Sequence, residues 1–155
     1  FLKLFKGMKN LDYTTGDLIS PWADVKMDVH DIPFEENTFD VVICNHVLEH
    51  VQDDNKVMRE FYRVMKKGGW GIFQVPLDNN NPRTEEDPSV TDPKERERLY
   101  GQDDHVRQYG QDYGDRLAAT GFSVRADDFV NTLDPSLVER YALPKGELIY
   151  FCQKQ

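Results

Sequence analysis

Cysteine is scarce in this chain, which has only Cys44 and Cys152. Each sits in an apolar stretch and reads as a small buried thiol; two cysteines so placed give no disulfide framework. Long apolar runs are also missing. None approaches the roughly 20 residues that a membrane span requires, so no membrane partner is expected. Basic charge is short, with 19 Lys and Arg against 28 Asp and Glu and a net charge of −9. That balance leaves no electrostatic footprint for tracking nucleic acid or an anionic bilayer. There is no initiator methionine, and Phe1 to Gly7 is too short for a signal peptide and lacks a cleavage-site pattern. The expected compartment is the cytoplasm. No repeat or low-complexity tract interrupts the 155 residues, a length that suits one domain with a sizeable core.

What is present alternates between strand and helix signals. Leu2, Leu4 and Phe5 read as the end of an amphipathic helix closed by Gly7, so the chain is expected to begin inside a domain. Short strands follow at Asn10 to Thr15, ending at Gly16-Asp17, and at Asp24 to Asp28. Phe39 to Cys44 is nearly continuously apolar and β-branched, the pattern of a parallel strand covered on both faces. Asn45 to His50 reads as a short helical stretch. Asp53 can then cap a helix in which Val57, Phe61, Val64 and Met65 recur at helical spacing. Lys66 and Lys67 fall in its last turn and Gly68-Gly69 ends it, ahead of a buried strand from Trp70 to Val75. Strand, helix and strand joined by short polar links predict a parallel crossover. Residues from about 77 to 108 form a polar excursion, expected as a lid or substrate loop, with a small helix between Asp92-Pro93 and Gly101. A helix over Tyr109 to Thr120, a strand over Phe122 to Phe129, a short helix after Asp134-Pro135 and a strand over Glu147 to Cys152 complete the chain. The last two strands are expected to pair antiparallel at the sheet edge.

Four segments in this order carry a family resemblance: Met27-Asp28-Val29-His30-Asp31-Ile32-Pro33-Phe34, Phe39-Asp40-Val41-Val42, Asn45-His46-Val47-Leu48-Glu49-His50-Val51 and Lys67-Gly68-Gly69. Together they resemble the middle of a class I S-adenosylmethionine-dependent methyltransferase of the small bacterial methyltransferase-domain type. The likeness runs from about Leu11 to Val75, and more loosely onward through Tyr109-Gly110 and Thr120-Gly121-Phe122. It implies a single α/β domain over residues 1–155, with a Rossmann-like, mostly parallel sheet, helices on both faces and an antiparallel edge hairpin. It also implies S-adenosyl-L-methionine as cofactor and a small-molecule acceptor.

In an open parallel sheet, ligands lie beyond the carboxyl ends of the strands. The resemblance therefore implies that Asp17 binds the ribose hydroxyls, against the alternative of a turn aspartate. Asp28, acceptor-only when ionised, would meet the exocyclic amine of adenine, against the alternative of a cap. Val29 would add a backbone amide and apolar contact to the ring. Asn45 and His46, at the end of the strongest strand, would hold the methionine part. His46 and His50 are four apart, but Val47 follows His46 where the metalloprotease spacing needs glutamate, and no metal is expected. In the excursion, Gln102 to Arg107 also looks like its counterpart in such enzymes. His105 is the candidate acceptor-side base and Arg107 the candidate substrate anchor; the alternative is that both pin the lid to the core.

The family's glycine-rich turn is absent, since Gly7 and Gly16 are isolated and Gly68-Gly69 lies far downstream. The family pattern puts the first strand and that turn just upstream of Phe1, so the chain is expected to be truncated at its N-terminus. Such a fragment could be inactive for want of the turn, and its exposed sheet edges could pair in a homo-oligomer. Two alternatives stay open: another Rossmann-type, nicotinamide-dependent oxidoreductase, and a non-catalytic interaction module.

Overall fold

The computed structural model describes residues 2–155, with the side chains of Leu2 and Lys3 left aside. The chain falls into two compact units, Phe1–Pro33 and Phe34–Gln155. No helix among the described residues is long and apolar enough to cross a membrane.

The first unit opens with α1 (Leu2–Lys6) and carries a two-stranded parallel sheet, β1 (Gly16–Asp17) and β2 (Val25–Lys26). Both strands are shorter than the sequence suggests, because most of Asn10 to Thr15 forms no ladder. Of the apolar contacts expected of α1, Leu4 is exposed, whereas the Phe5 ring meets Tyr13 at 5.4 Å; the side chain of Leu2, expected to contribute as well, lies outside the described ones. Asp24 ties the unit together, accepting from Lys6 Nζ (2.7 Å), Thr15 Oγ1 (2.6 Å) and Thr15 N (3.0 Å).

The second unit runs β3 (Phe39–Asn45), α2 (Asp54–Val64), β4 (Met65–Gln74), β5 (Glu85–Glu86), α3 (Pro93–Tyr100), β6 (Arg107–Gln108), α4 (Tyr113–Ala118), β7 (Ser123–Asp127), α5 (Pro135–Arg140) and β8 (Ile149–Gln153). A four-stranded sheet has the order β3-β4-β8-β7. The predicted crossover is present, with β3 parallel to β4. Strand β8 is antiparallel to both β4 and β7. The antiparallel pair exists, but β8 lies inside the sheet and only β7 forms the edge. At the other end β3 pairs with β4 alone among the described residues, and Val41 and Ile43 stay exposed. The apolar run of β3 is therefore not covered on both faces here.

Helix α2 starts as expected, with the Asp53 carboxylate accepting from Lys56 N at 2.8 Å. It buries Val57, Met58, Phe61 and Val64, and Phe61 stacks on Phe73 of β4 at 4.9 Å. Each such side chain contributes roughly 1.5–3 kcal/mol by leaving water. The helix stops at Val64, earlier than the sequence suggests. Lys66 to Gly69 belong instead to a bulge in β4, between the pairs Phe39↔Met65 and Val41↔Trp70. There Gly68 takes a positive φ of 78°, and a Cβ on Gly69 would lie 2.8 Å from the Asp40 carbonyl oxygen. The glycine pair serves the strand and does not terminate the helix.

The cation at the end of α2 comes from the far end of the sequence. Lys154, buried just past β8, donates to the carbonyls of Tyr62 (2.8 Å), Arg63 (3.3 Å) and Met65 (2.8 Å), and to Asn37 Oδ1 (3.0 Å). Its ammonium also sits 4.7 Å from the Tyr62 ring centroid. These carbonyls lack intrahelical partners and carry the negative end of the helix dipole, the role the sequence suggested for Lys66 and Lys67.

At the other end of α2, Asp54 is buried and accepts from Tyr109 Oη (2.8 Å) and from Arg116 Nη2 (2.8 Å to Oδ2). Glu86 of β5 in turn pairs with Arg107 Nε (2.9 Å) and Arg116 Nη2 (3.2 Å). The polar excursion is thus ordered around an antiparallel β5–β6 pair and is fastened to α2 and α4 by charge-assisted bonds.

Two stability predictions follow from these anchors. Replacement Asp54→Ala leaves Arg116 and Tyr109 without their buried acceptor, and is expected to cost about 3–5 kcal/mol. It should appear as a lower urea midpoint with an unchanged slope. Replacement Lys154→Met keeps the stem but takes the ammonium donor from the Tyr62 and Met65 carbonyls and from Asn37 Oδ1. It is expected to cost about 1–3 kcal/mol in the same measurement.

Candidate functional site

Each unit brings a distinct set of the sequence candidates into position. In the first, β1 and β2 run parallel with Asp17 opposite Lys26. Asp17 ends β1 and Asp28 lies just past β2, so both acids stand at the carboxyl ends of neighbouring parallel strands. Asp17 Oδ1 accepts from Ile19 N (2.9 Å) and Ser20 N (2.8 Å). The Ser20 amide, then the Ile19 amide, holds this carboxyl below the usual range, which keeps it ionised and acceptor-only. The turn role weighed for Asp17 is thus real, but it engages only one oxygen in these bonds. Asp28 Oδ1 accepts from His30 N (2.9 Å) and lies 2.7 Å from His30 Nδ1. Val29 follows directly in the chain.

In the second unit, Asn45 ends β3 opposite Gln74, and the chain then turns. The expected short helix is not formed. His46 takes a positive φ of 57°, its amide donates to Gln74 O (2.8 Å), and His50 N closes a turn onto Val47 O (3.0 Å). His46 and His50 are therefore loop residues. The two ends of the loop are fixed differently: Asn45 by the sheet, and Leu48 to Gln52 by a strap from the polar excursion.

That strap is His105-Val106-Arg107. Val106 N donates to Glu49 O at 2.9 Å. Arg107 Nη1 donates to Leu48 O and Val51 O, both at 2.6 Å, and Nη2 to Gln52 O at 3.0 Å. With Nε on Glu86, every guanidinium nitrogen has a protein partner, and Arg107 is 3% exposed. Its contacts are those of a clamp on the loop, the pinning role weighed beside substrate binding. His105 is also 3% exposed, with Nδ1 3.0 Å from the Tyr100 carbonyl oxygen. A carbonyl only accepts, so Nδ1 carries a proton.

Glu49 lies at the centre of this loop, and the sequence reading gave it no role. It is 1% exposed, and neither carboxylate oxygen has a hydrogen-bond partner. Imidazoles surround it: His46 Nδ1 at 3.3 Å and His50 Nε2 at 3.9 Å from Oε1. Its charge, after burial, helps push the Cys44 thiol up to about 12. The Cys152 thiol is likewise raised to about 12 by burial, so both cysteines are the inert thiols expected of apolar settings. An acid flanked by histidines in His46-Val47-Leu48-Glu49-His50 was visible in the sequence, but its burial was not.

Residues 9–73 match the family model described as methyltransferase domain. A ubiquinone biosynthesis O-methyltransferase of Bordetella avium is 36% identical over 68 residues, which cover 40% of this chain and 27% of that protein. The ubiquinone/menaquinone biosynthesis C-methyltransferase UbiE of Idiomarina loihiensis is 42% identical over 45 residues, covering 29% of this chain and 18% of the relative. The chain thus spans about a quarter or less of the length of these relatives. Among solved structures, Burkholderia thailandensis 1,6-didemethyltoxoflavin-N1-methyltransferase, with bound 1,6-didemethyltoxoflavin and S-adenosylhomocysteine, superposes with a TM-score of 0.57 at 14% identity. That superposition covers 90% of this chain and 60% of that one, a likeness of fold. None of these relatives favours the oxidoreductase reading. The matched segment is thus similar in sequence to methyltransferase domains, and the mixed α/β sheet shares the fold of such an enzyme.

Proposed function

We propose that this protein binds S-adenosylmethionine and directs its methyl group to a small-molecule acceptor. The observation that carries the reading is the pair of acids in the first unit. Asp17 and Asp28 close two adjacent parallel strands, where open α/β sheets bind their ligands. The residues fit an adenosyl group chemically. Ribose hydroxyls and the adenine amine are donors, and an ionised carboxylate only accepts. Asp17 needs no rearrangement to act, because backbone amides already fix its orientation and charge. Asp28 would take the adenine amine and Val29 would line the ring. In the second unit, Asn45 and His46 are the positions to which the family assigns the methionine part.

The sulfonium, once bound, supplies an activated methyl group for in-line displacement. The chain's own share is then positioning, an effect that can reach about 7–11 kcal/mol of barrier. The relatives are named for ubiquinone and menaquinone biosynthesis, so a quinone-precursor ring is the first acceptor class to screen. No base is assigned, because His105 is enclosed and bonded to Tyr100.

The test separates cofactor binding from turn formation at Asp17. An asparagine there keeps an oxygen for the Ile19 and Ser20 amides but loses the charge and the second acceptor. Calorimetric titration of the full-length protein with S-adenosylhomocysteine is expected to show saturable binding. Replacement Asp17→Asn should weaken it about 10–100-fold with little change in melting temperature. No heat at millimolar ligand overturns the proposal. Binding without methylation in a broad acceptor screen would favour the non-catalytic reading.

A further inference from the structure

Glu49, His50 and His105 each turn one ligand-type atom inward, and these three atoms all lie within 4.8 Å of one another. We propose that they form a site for a divalent first-row transition ion of the zinc class, held by two imidazole nitrogens and one carboxylate. The expectation of no metal came from a different pair, His46 and His50. The turn after β3 and the strap from the excursion instead pair His50 with a histidine 55 positions away in sequence (105 − 50).

Three features support a built site over a chance cluster. Glu49 is buried and neither of its oxygens has a hydrogen-bond partner, its nearest polar groups being the imidazoles of His46 and His50, and a buried carboxylate without hydrogen bonds is costly enough to call for a cation. Each histidine is oriented by its outer nitrogen. His105 Nδ1 donates to Tyr100 O at 3.0 Å, and His50 Nδ1 faces Asp104 Oδ2 at 3.2 Å. Metal-binding histidines are held this way, by a carbonyl or carboxylate that fixes the tautomer and leaves the inner nitrogen free. The two rings also pack edge to face with centroids 4.8 Å apart. Arg107 and Val106 hold the backbone on either side of Glu49, so the ligands sit on fixed chain.

Two nitrogens and one carboxylate oxygen suit zinc, manganese or ferrous iron better than the all-oxygen shell that magnesium prefers. Three protein ligands leave at least one coordination position open, as in zinc sites that do chemistry. Metal–ligand bonds of roughly 2.0–2.2 Å would draw the three atoms together by about 1 Å. Closure falls to His50, which is only partly buried at 34% side-chain exposure and provides the way in. The exposed His46, at 3.3 Å from Glu49 Oε1, stands beside the site as a candidate fourth ligand.

Glu49, His50 and His105 have no part in the cofactor reading, and the site they form is tested by metal alone. Zinc titration of chelator-treated full-length protein is expected to give one saturable site of micromolar affinity or better and a rise in melting temperature. Cobalt loading is expected to give visible ligand-field bands. Replacements Glu49→Gln and His50→Gln should each weaken zinc binding at least 100-fold, bleach the cobalt bands and leave the far-ultraviolet circular dichroism unchanged. His50 is partly exposed, so its variant tests the site even if the Glu49 variant fails to fold. Absence of saturable zinc binding overturns the proposal. So does zinc binding that both folded variants retain.

Discussion

The second unit depends on one buried guanidinium. Arg107 satisfies three carbonyls of the loop after β3 while its Nε bonds Glu86 of the excursion. Loop carbonyls buried without partners would each cost about 1–3 kcal/mol, and no other side chain supplies so many donors in one plane. Because Val106 beside it also holds Glu49 O, the strap fixes both the path of the loop and the depth at which Glu49 sits. Asp54, Arg116 and Tyr109 extend this network to α2 and α4. The polar excursion is therefore part of the core's electrostatics and not a free lid over it.

That arrangement explains how a short α/β unit tolerates so much buried charge. Glu49, Asp54, Arg107 and Lys154 are all buried, yet three of the four find opposite charge or several carbonyls. Burying ions is favourable only when such partners are complete. Glu49 alone lacks a hydrogen-bond partner. Its isolation stands out because every neighbouring group is so thoroughly satisfied.

Much of the fold was readable because it rests on local chemistry. The apolar β-branched run Phe39 to Cys44, the Asp53 cap of α2 and the Asp92 cap ahead of Pro93 all formed as their sequences suggest. So did Gly101, which closes α3 with a positive φ. The positions of Asp17, at the end of β1, and Asp28, just past β2, were legible for the same reason. Misreadings arose where a residue answered to distant partners. Gly68-Gly69 looked like a helix stop, but close approach to Asp40 set its use. Lys66 and Lys67 looked like the cations of α2, but Lys154 took that place from the far end of the chain. His46 to His50 looked helical, but the strap held it as a turn.

The amino-acid order by itself determined the alternation of strands and helices, the caps, the resemblance to methyltransferase domains and the acids at or just past the ends of β1 and β2. All of these follow from backbone propensity and from side chains acting on their own neighbours. Only the tertiary structure decided that β8 enters the sheet between β4 and β7, that Arg107 is a clamp, and that His105 meets His50 over Glu49. These are long-range pairings. They are set by which buried carbonyls and charges must be satisfied once the chain is compact, a requirement that no local stretch of sequence expresses.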